Sequence, residues 1–374
     1  MDTMNRIELI QVKGFKSIAD LTISQSTPFM VFAGPNGAGK SNLMDALAFF
    51  GEIIRLGIDQ ALRDFGGFAQ VHCFKYRKAN SRTACFRIHI ILSGVGFKYE
   101  IHISDMDTLP VLQETLHVNE VLFVKRNNEV VYIKSTDTEE LNPINNYPRF
   151  LSALVLVSNS HLYAFLSNIR VFRFDPLSAK EPDSSTTDAS ALDCHGRNIA
   201  TMLSELEKDN DFRSQVMEWM ELLIPGMEYV STEKQRLDGT TLMTFKETGL
   251  KNRFPARLIS DGTIYVLCIM TAVLSRSRQK GLTIIEEPER GIHPQGITQL
   301  VELMRSRSSL EHPVMITTHS ESVVRASHEN ELWLVNKTGG KTQVKNAGRS
   351  AIPLQNINLD KAWLMNFFDG GLPW

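Results

Sequence analysis

The sequence predicts an α/β fold: a mostly parallel core sheet carrying an antiparallel β lobe and a helical insertion, in one unit of 374 residues. Three observations predict it. An apolar run at Phe29–Phe32 leads into a glycine loop and then a helical pattern that reaches Phe50. Two later apolar runs, Leu282–Ile285 and Val314–Ile316, have the length of buried strands and end in charged or polar residues. Between these ends, residues 84–104 alternate apolar and polar with period two, as in an antiparallel sheet with one wet face.

Taken in order, Ile7–Val12 and Leu21–Ile23 read as strands around Gly14-Phe15-Lys16-Ser17. The helix after Lys40 runs to about Phe50, and Glu52–Phe65 holds another. Phe86–Leu92 and the alternating Phe97, Tyr99, Ile101 and Ile103 form a hairpin around Ser93-Gly94-Val95-Gly96. A second hairpin joins Val121–Val124 to Val130–Ile133 through a turn at Arg126-Asn127-Asn128. Pro148–Ser167 reads as a helix and Ile169–Phe174 as a strand. Ser178–Ser190, rich in Ser, Thr, Asp and Pro, reads as mobile. Helices at Arg197–Leu206 and Asp211–Leu223 and a hairpin at Tyr229–Phe245 complete the insertion. The expected division is a core of residues 1–80 and 251–345, a lobe at 84–135, an insertion at 145–250 and a tail at 346–374.

Composition narrows the class. Hydrophobic content of 43% with 22% charged residues is that of a soluble globular chain. A formal net charge of −2 means that any nucleic-acid surface must be a local patch. Cys73, Cys85, Cys194 and Cys268 form no C-x-x-C pair and read as buried thiols in a reducing cytosol. Arg6, Glu8, Lys13 and Lys16 interrupt any signal-like run, and the apolar stretch Thr263–Leu274 is too short for a bilayer. The expectation is a cytoplasmic protein with no membrane partner.

The glycine loop carries the strongest signal. Gly34, Pro35, Asn36, Gly37, Ala38, Gly39, Lys40 and Ser41 match G-x-x-x-x-G-K-[ST]. Glycines let several backbone N–H groups turn inward on phosphate oxygens, and the following helix offers its positive dipole end. Lys40 would reach the β- and γ-phosphates, and the Ser41 hydroxyl would bind Mg²⁺. ATP and Mg²⁺ are therefore the expected ligands.

Three later stretches bear on the chemistry. Ser260-Asp261-Gly262 opens an apolar helix and fits either a plain helix cap or an anion-binding turn. Glu286 and Glu287 close the Leu282 strand, where ligands of parallel sheets bind. Neighbouring strand residues face opposite ways, so Glu286 would hold Mg²⁺ while Glu287 polarises the attacking water. His319 ends the Val314 strand, and in this order it would touch the γ-phosphate or that water.

This series of motifs resembles the ABC-type ATPase heads, and within them the RecF/SMC-like and "overcoming lysogenization defect" (OLD-like) branch. Gly14-Phe15-Lys16-Ser17, Asn42 after Ser41, Glu286-Glu287-Pro288-Glu289 and His293-Pro294 carry the narrower resemblance. It implies an ATPase that dimerises around two ATP·Mg²⁺. One copy would supply Lys40, Ser41, Glu286, Glu287 and His319, with Gly34 to Asn42 cradling the nucleotide. The other would close the γ-phosphate with Ser260, Asp261 and Gly262. Asp261 stands where transporters have glycine, so its carboxylate should turn from the phosphate and cap its own helix. Gln70 is a poor match to the family's Q-loop.

No sustained heptad fills the space between Lys40 and Glu286, so the long coiled coil of some relatives is not expected. The stretch after His319 holds a hairpin at Gly339-Gly340 and a helix near Leu359–Phe368, with no nuclease pattern. The expected partner is thus a separate effector, a nuclease or toxin, in prokaryotic defence against phage, with DNA as a further candidate. A non-hydrolysing scaffold that restrains a toxin and a DNA-repair clamp or loader stay open as alternatives. Trp363, Phe367, Phe368, Leu372 and Trp374 fit either core packing or docking of a partner. Arg276, Arg278 and Lys280, and also Arg305 and Arg307, close helices and read as dipole partners, with phosphate binding as the alternative.

Overall fold

The computed structural model describes residues 5–73, 82–135, 140–184, 186–349 and 357–368. A hairpin of β1 (Arg6–Phe15) and β2 (Ile18–Ser24) precedes β3 (Phe29–Ala33), the glycine loop and α1 (Lys40–Leu56). Then come α2 (Ile58–Asp64), α3 (Phe68–Val71) and six strands: β4 (Ala84–Leu92), β5 (Val95–Ser104), β6 (Val111–Val118), β7 (Val121–Asn127), β8 (Val130–Lys134) and β9 (Leu141–Ile144). Next come α4 (His161–Ser167), β10 (Ile169–Phe172), α5 (Pro176–Ala179), α6 (Ile199–Leu206) and α7 (Asn210–Leu223). A small sheet of β11 (Met227–Lys234), β12 (Thr241–Glu247) and β13 (Phe254–Pro255) follows. The last third holds α8 (Asp261–Arg276), β14 (Leu282–Glu286), α9 (Pro294–Arg307), β15 (Val314–Thr318) and α10 (Glu321–Arg325). It closes with the hairpin β16 (Leu332–Thr338) and β17 (Lys341–Asn346), then α11 (Leu359–Leu364).

Two large sheets organise these elements. The antiparallel sheet runs β2-β1-β4-β5-β6-β7-β8-β9, so it takes in the opening hairpin as well as the 84–135 stretch. The other runs β10-β14-β15-β3-β16-β17 and is parallel across its first five strands. Every residue of β3 and β15 is buried, which is why both read as unbroken apolar runs. Alternation along β3 divides two cores. Met30 and Phe32 face α1 and the antiparallel sheet; Phe29, Val31 and Ala33 face α8 and α9. Phe50 of α1 stacks on Phe86 and Tyr99 of the antiparallel sheet, at centroid distances of 5.2 and 6.1 Å. α8 is buried almost all round, as its apolar composition requires.

Several elements differ from expectation. α1 continues past Phe50 to Leu56 and stops at Gly57, whose φ is 86°. Pro148–Ser167 is not one helix. Ser152 caps a 3₁₀ turn at Ala153–Val157 by accepting from the Leu154 N–H, and Ser160 caps α4 by accepting from the Tyr163 N–H. Two serine hydroxyls that satisfy backbone donors locally split the run. Arg126 lies within β7 rather than in a turn, and its guanidinium is buried against Glu114 of β6 at 2.9 Å. Asp183, in the stretch read as mobile, pairs through its backbone with Thr241 and accepts from the Thr201 N–H at 2.6 Å. Arg276 and Arg305 do stand in the last turns of α8 and α9, with their guanidinium groups turned inward: the first donates to Thr283 and Asn168, the second to Glu331. Trp363 and Phe368 are buried in the second core; Leu372 and Trp374 lie outside the described residues.

Candidate functional site

The strands β10, β14, β15, β3 and β16 end along one edge of the parallel sheet, the edge at which such sheets bind ligands. Arg173, Glu286, His319, Gly34 and Lys337 lie at or near those five ends in that spatial order.

Distant residues hold the glycine loop. Gly39 has φ 103°, and a Cβ there would lie 2.0 Å from Thr342 Oγ1. Glycine is thus required by conformation and by space. The Thr342 hydroxyl, from β17, bonds to the Ala38 carbonyl at 3.2 Å and lies 2.6 Å from Ser17 Oγ. Asn42 donates to the same Ser17 oxygen at 2.7 Å. Lys16, next to it, pairs with Asp45 of α1 at 2.6 Å. The Gly14-to-Ser17 segment therefore buttresses the loop from behind.

Lys40 is buried, and its ammonium donates to the carbonyls of Gly34 at 2.6 Å and Pro35 at 3.1 Å. Burial lowers its pKa, opposed by the nearby carboxylates of Glu287, Glu289 and Glu286. The loop, Glu287, Thr317 and Lys337 enclose a cavity of 230 Å³, lined mainly by polar groups.

Ser41 Oγ lies 3.2 Å from Glu286 Oε2. The other oxygen of Glu286 accepts from Arg173 at 2.7 Å, and Arg173 also pairs with Asp45. Burial works against the Arg173 charge, yet the Glu286 and Asp45 carboxylates outweigh it and raise its pKa. A hydroxyl and a carboxylate held side by side are hard oxygen donors, the set that suits Mg²⁺.

Glu287 has φ 48°, a costly conformation for a residue other than glycine. Its N–H donates to the Thr317 carbonyl at 2.9 Å. The Tyr265 hydroxyl of α8 reaches the carbonyls of Glu286 at 2.9 Å and Glu287 at 3.1 Å. His319 Nδ1 lies 3.2 Å from Glu287 Oε1. Behind them Glu289 is buried, accepting from the Thr318 hydroxyl at 2.6 Å and the His319 N–H at 3.4 Å. Burial raises its pKa above the ordinary carboxylate range.

Within one chain the Ser260 turn stands apart from the loop and borders a different cavity, of 540 Å³. Ser260 caps α8, accepting from the Thr263 N–H at 3.1 Å. Asp261 turns aside, but to Lys180 rather than to its own helix; Lys180 also donates to the Ile259 carbonyl at 2.7 Å. Gly262 packs on the backbone of Gly291, where a Cβ would fall 2.2 Å from the Gly291 oxygen. Gln70 sits exposed on α3 beside Gly66.

The edge thus brings Lys40, Ser41, Glu286, Glu287 and His319 together. It adds Arg173, Tyr265, Thr342 and Lys337, which sequence reasoning missed because no local pattern marks them. Ser17 did have a signal, its place in Gly14-Phe15-Lys16-Ser17. Among the described residues no helix is long and apolar enough to cross a membrane.

A family model described as "AAA domain, putative AbiEii toxin, Type IV TA system" matches residues 29–325. No curated protein matches the sequence. Among solved structures, the chain is similar to an Smc head bound to the C-winged helix domain of ScpA. Identity is 14% and the TM-score 0.57, over 91% of this chain and 97% of that one. It is also similar to an Smc head domain with an extended coiled coil bound to the C-terminal domain of ScpA, derived from Pyrococcus furiosus. There identity is 13% and the TM-score 0.56, over 98% and 100% of the two chains. At such identity the likeness is one of fold. The chain belongs to the AAA-domain family described as "putative AbiEii toxin, Type IV TA system", and its fold is that of Smc heads.

Proposed function

We propose that this chain binds ATP·Mg²⁺, hydrolyses it in a site closed by a second copy, and so controls a separate effector, a nuclease or toxin. The setting proposed is prokaryotic anti-phage defence in the cytoplasm. The observation that carries the reading is the convergence at the sheet edge of Lys40, the Ser41–Glu286 pair at 3.2 Å, and the Glu287–His319 pair at 3.2 Å. The toxin–antitoxin association of the family supports the effector.

In this reading the N–H groups of Gly34 to Asn42 cradle the phosphates, and Lys40 neutralises charge on the β- and γ-groups. Ser41 and Glu286 would hold Mg²⁺, which when bound would offset phosphate charge. Glu287 orients the attacking water and accepts its proton. The water oxygen bonds to the γ-phosphorus, the bond to the bridging oxygen breaks, and ADP and phosphate leave. His319 fixes the Glu287 carboxylate and stands beside the γ-phosphate. The partner's turn at Ser260–Gly262 closes the site; because Asp261 is drawn to Lys180, its carboxylate does not face the anion.

The test is ATP binding, turnover and sedimentation for the wild type, Lys40→Ala and Glu287→Gln. Lys40→Ala should lose ATP binding. Glu287→Gln should keep binding, lose turnover by about 10²-fold or more, and form ATP-dependent dimers. Turnover that survives either change overturns the site assignment. Tight binding without wild-type turnover favours the scaffold reading. ATP-strengthened DNA binding that weakens steeply with salt favours the clamp or loader.

A further inference from the structure

We propose a transition-metal site of the zinc class at Cys85, Glu100 and His102, on the antiparallel sheet. Cys85 of β4 and His102 of β5 are direct register partners, and Glu100 lies two residues back on β5, on the same face. One ligand atom from each lies within 4.8 Å of the others, and among the described residues this is the place where three such groups meet. The sulfur stands 3.6 Å from Glu100 Oε1 and 3.8 Å from His102 Nε2. His102 Nε2 contacts that same carboxylate oxygen.

These separations fit one ion. Tetrahedral zinc, with Zn–S near 2.3 Å and Zn–N or Zn–O near 2.0 Å, sets the sulfur about 3.6 Å from each neighbouring ligand atom. Two such edges are already in place. Only a short spreading of His102 from Glu100 is needed, and His102 is half exposed and free to make it. The donors also suit the ion: a thiolate, an imidazole and a carboxylate are a borderline-soft set.

The surroundings are those of a supported site. Glu100 Oε2 accepts from Arg87 Nε at 2.8 Å, and Arg87 is itself anchored on Gln11 at 2.9 Å. Arg87 therefore grips the carboxylate from behind, as outer partners of metal ligands do. Its second contact, Nη2 to Oε1 at 2.7 Å, is the one an ion would replace. A cavity of 400 Å³ bordered by Cys85, His102, Lys13 and Gln113 gives room for a fourth ligand, a water molecule or an exogenous group. The charges balance: Cys85 gives its proton to solvent, and thiolate and carboxylate together offset a divalent ion, with His102 neutral.

The test is titration of the metal-free, reduced full-length chain with Co²⁺. One equivalent should produce thiolate-to-cobalt charge-transfer absorption, and Zn²⁺ should displace it. Cys85→Ser should abolish the band, while Cys194→Ser, at an exposed thiol elsewhere, should keep it. His102→Ala, at an exposed position where misfolding is not an issue, should weaken binding by about 10-fold or more. No charge-transfer band, a band that survives Cys85→Ser, or an affinity unchanged in His102→Ala would each overturn the site.

Discussion

Tyr265→Phe isolates one hydroxyl at the centre of the site. The ring packs edge-on against Phe174 at 6.0 Å and stays in place, so no cavity forms. What is lost is an O–H shared between the carbonyls of Glu286 and Glu287, at 2.9 and 3.1 Å. Such a bond contributes about 1 kcal/mol net to stability. The same bond helps hold Glu287 at φ 48°, a conformation that costs roughly 1–3 kcal/mol. Releasing about 1 kcal/mol of restraint lets Glu287 leave the pose proposed for catalysis, and about 1 kcal/mol corresponds to roughly 5-fold in rate. The variant should therefore show kcat lowered about 5-fold with KM for ATP unchanged, since the loop proposed to bind phosphate is untouched. Steady-state ATPase assays over a range of ATP concentrations, beside a thermal melt, read both quantities. A melt shifted down with kcat unaltered would refute the argument, for the hydroxyl would then serve folding alone.

Three further outcomes are expected. Gly39→Ala meets both the positive φ and Thr342, and should cost roughly 1–3 kcal/mol and most ATP affinity; adding Thr342→Ala should restore part, measured by calorimetry and denaturation. Gly262→Ala drives a Cβ against the Gly291 carbonyl, a backbone that has nowhere to retreat, and should lower stability by about 1–3 kcal/mol in a denaturant melt. His312 is buried; its Nδ1 donates to the Gln279 carbonyl while Nε2 accepts from Thr283, whose oxygen is held by Arg276. Burial, then Arg276, lowers its pKa to about 4 from the ordinary 6.5. The unfolded chain thus takes up this proton first as pH falls. Its contribution is whole above about pH 6.5 and declines towards pH 4, by about 3 kcal/mol in all. Melts from pH 7 to 4 should show a shallower loss in His312→Gln than in the wild type.

The half of the candidate site built around the glycine loop was legible because its signals are local. A glycine loop, two carboxylates after an apolar run, and a histidine after another each sit within a few residues of the strand that positions them. What escaped was long-range. Arg173 bonds Glu286 across 113 positions, and Thr342 meets Ser17 across 325. β6 escaped for a different reason. Its inward position is occupied by Glu114, buried against Arg126, Tyr99 and Ser152, so a charged residue stood where alternation demands an apolar one. The same ion pair explains Arg126, which by residue type belongs in a turn and by pairing belongs in a strand. The Pro148–Ser167 run failed where Ser152 and Ser160 cap against continuation.

The order of the parallel sheet has a bearing on synthesis. β3 finds its two neighbours in β15 and β16, which are made long after it. While the ribosome works through the intervening residues, the wholly apolar strand Phe29–Ala33 has neither edge covered. A nascent chain stalled before Val314 would expose a sticky ribbon and leave the glycine loop without its flanking strands. Translation past β16 is thereby a condition for the parallel sheet to close around β3, and chaperone capture of arrested chains should centre on that ribbon.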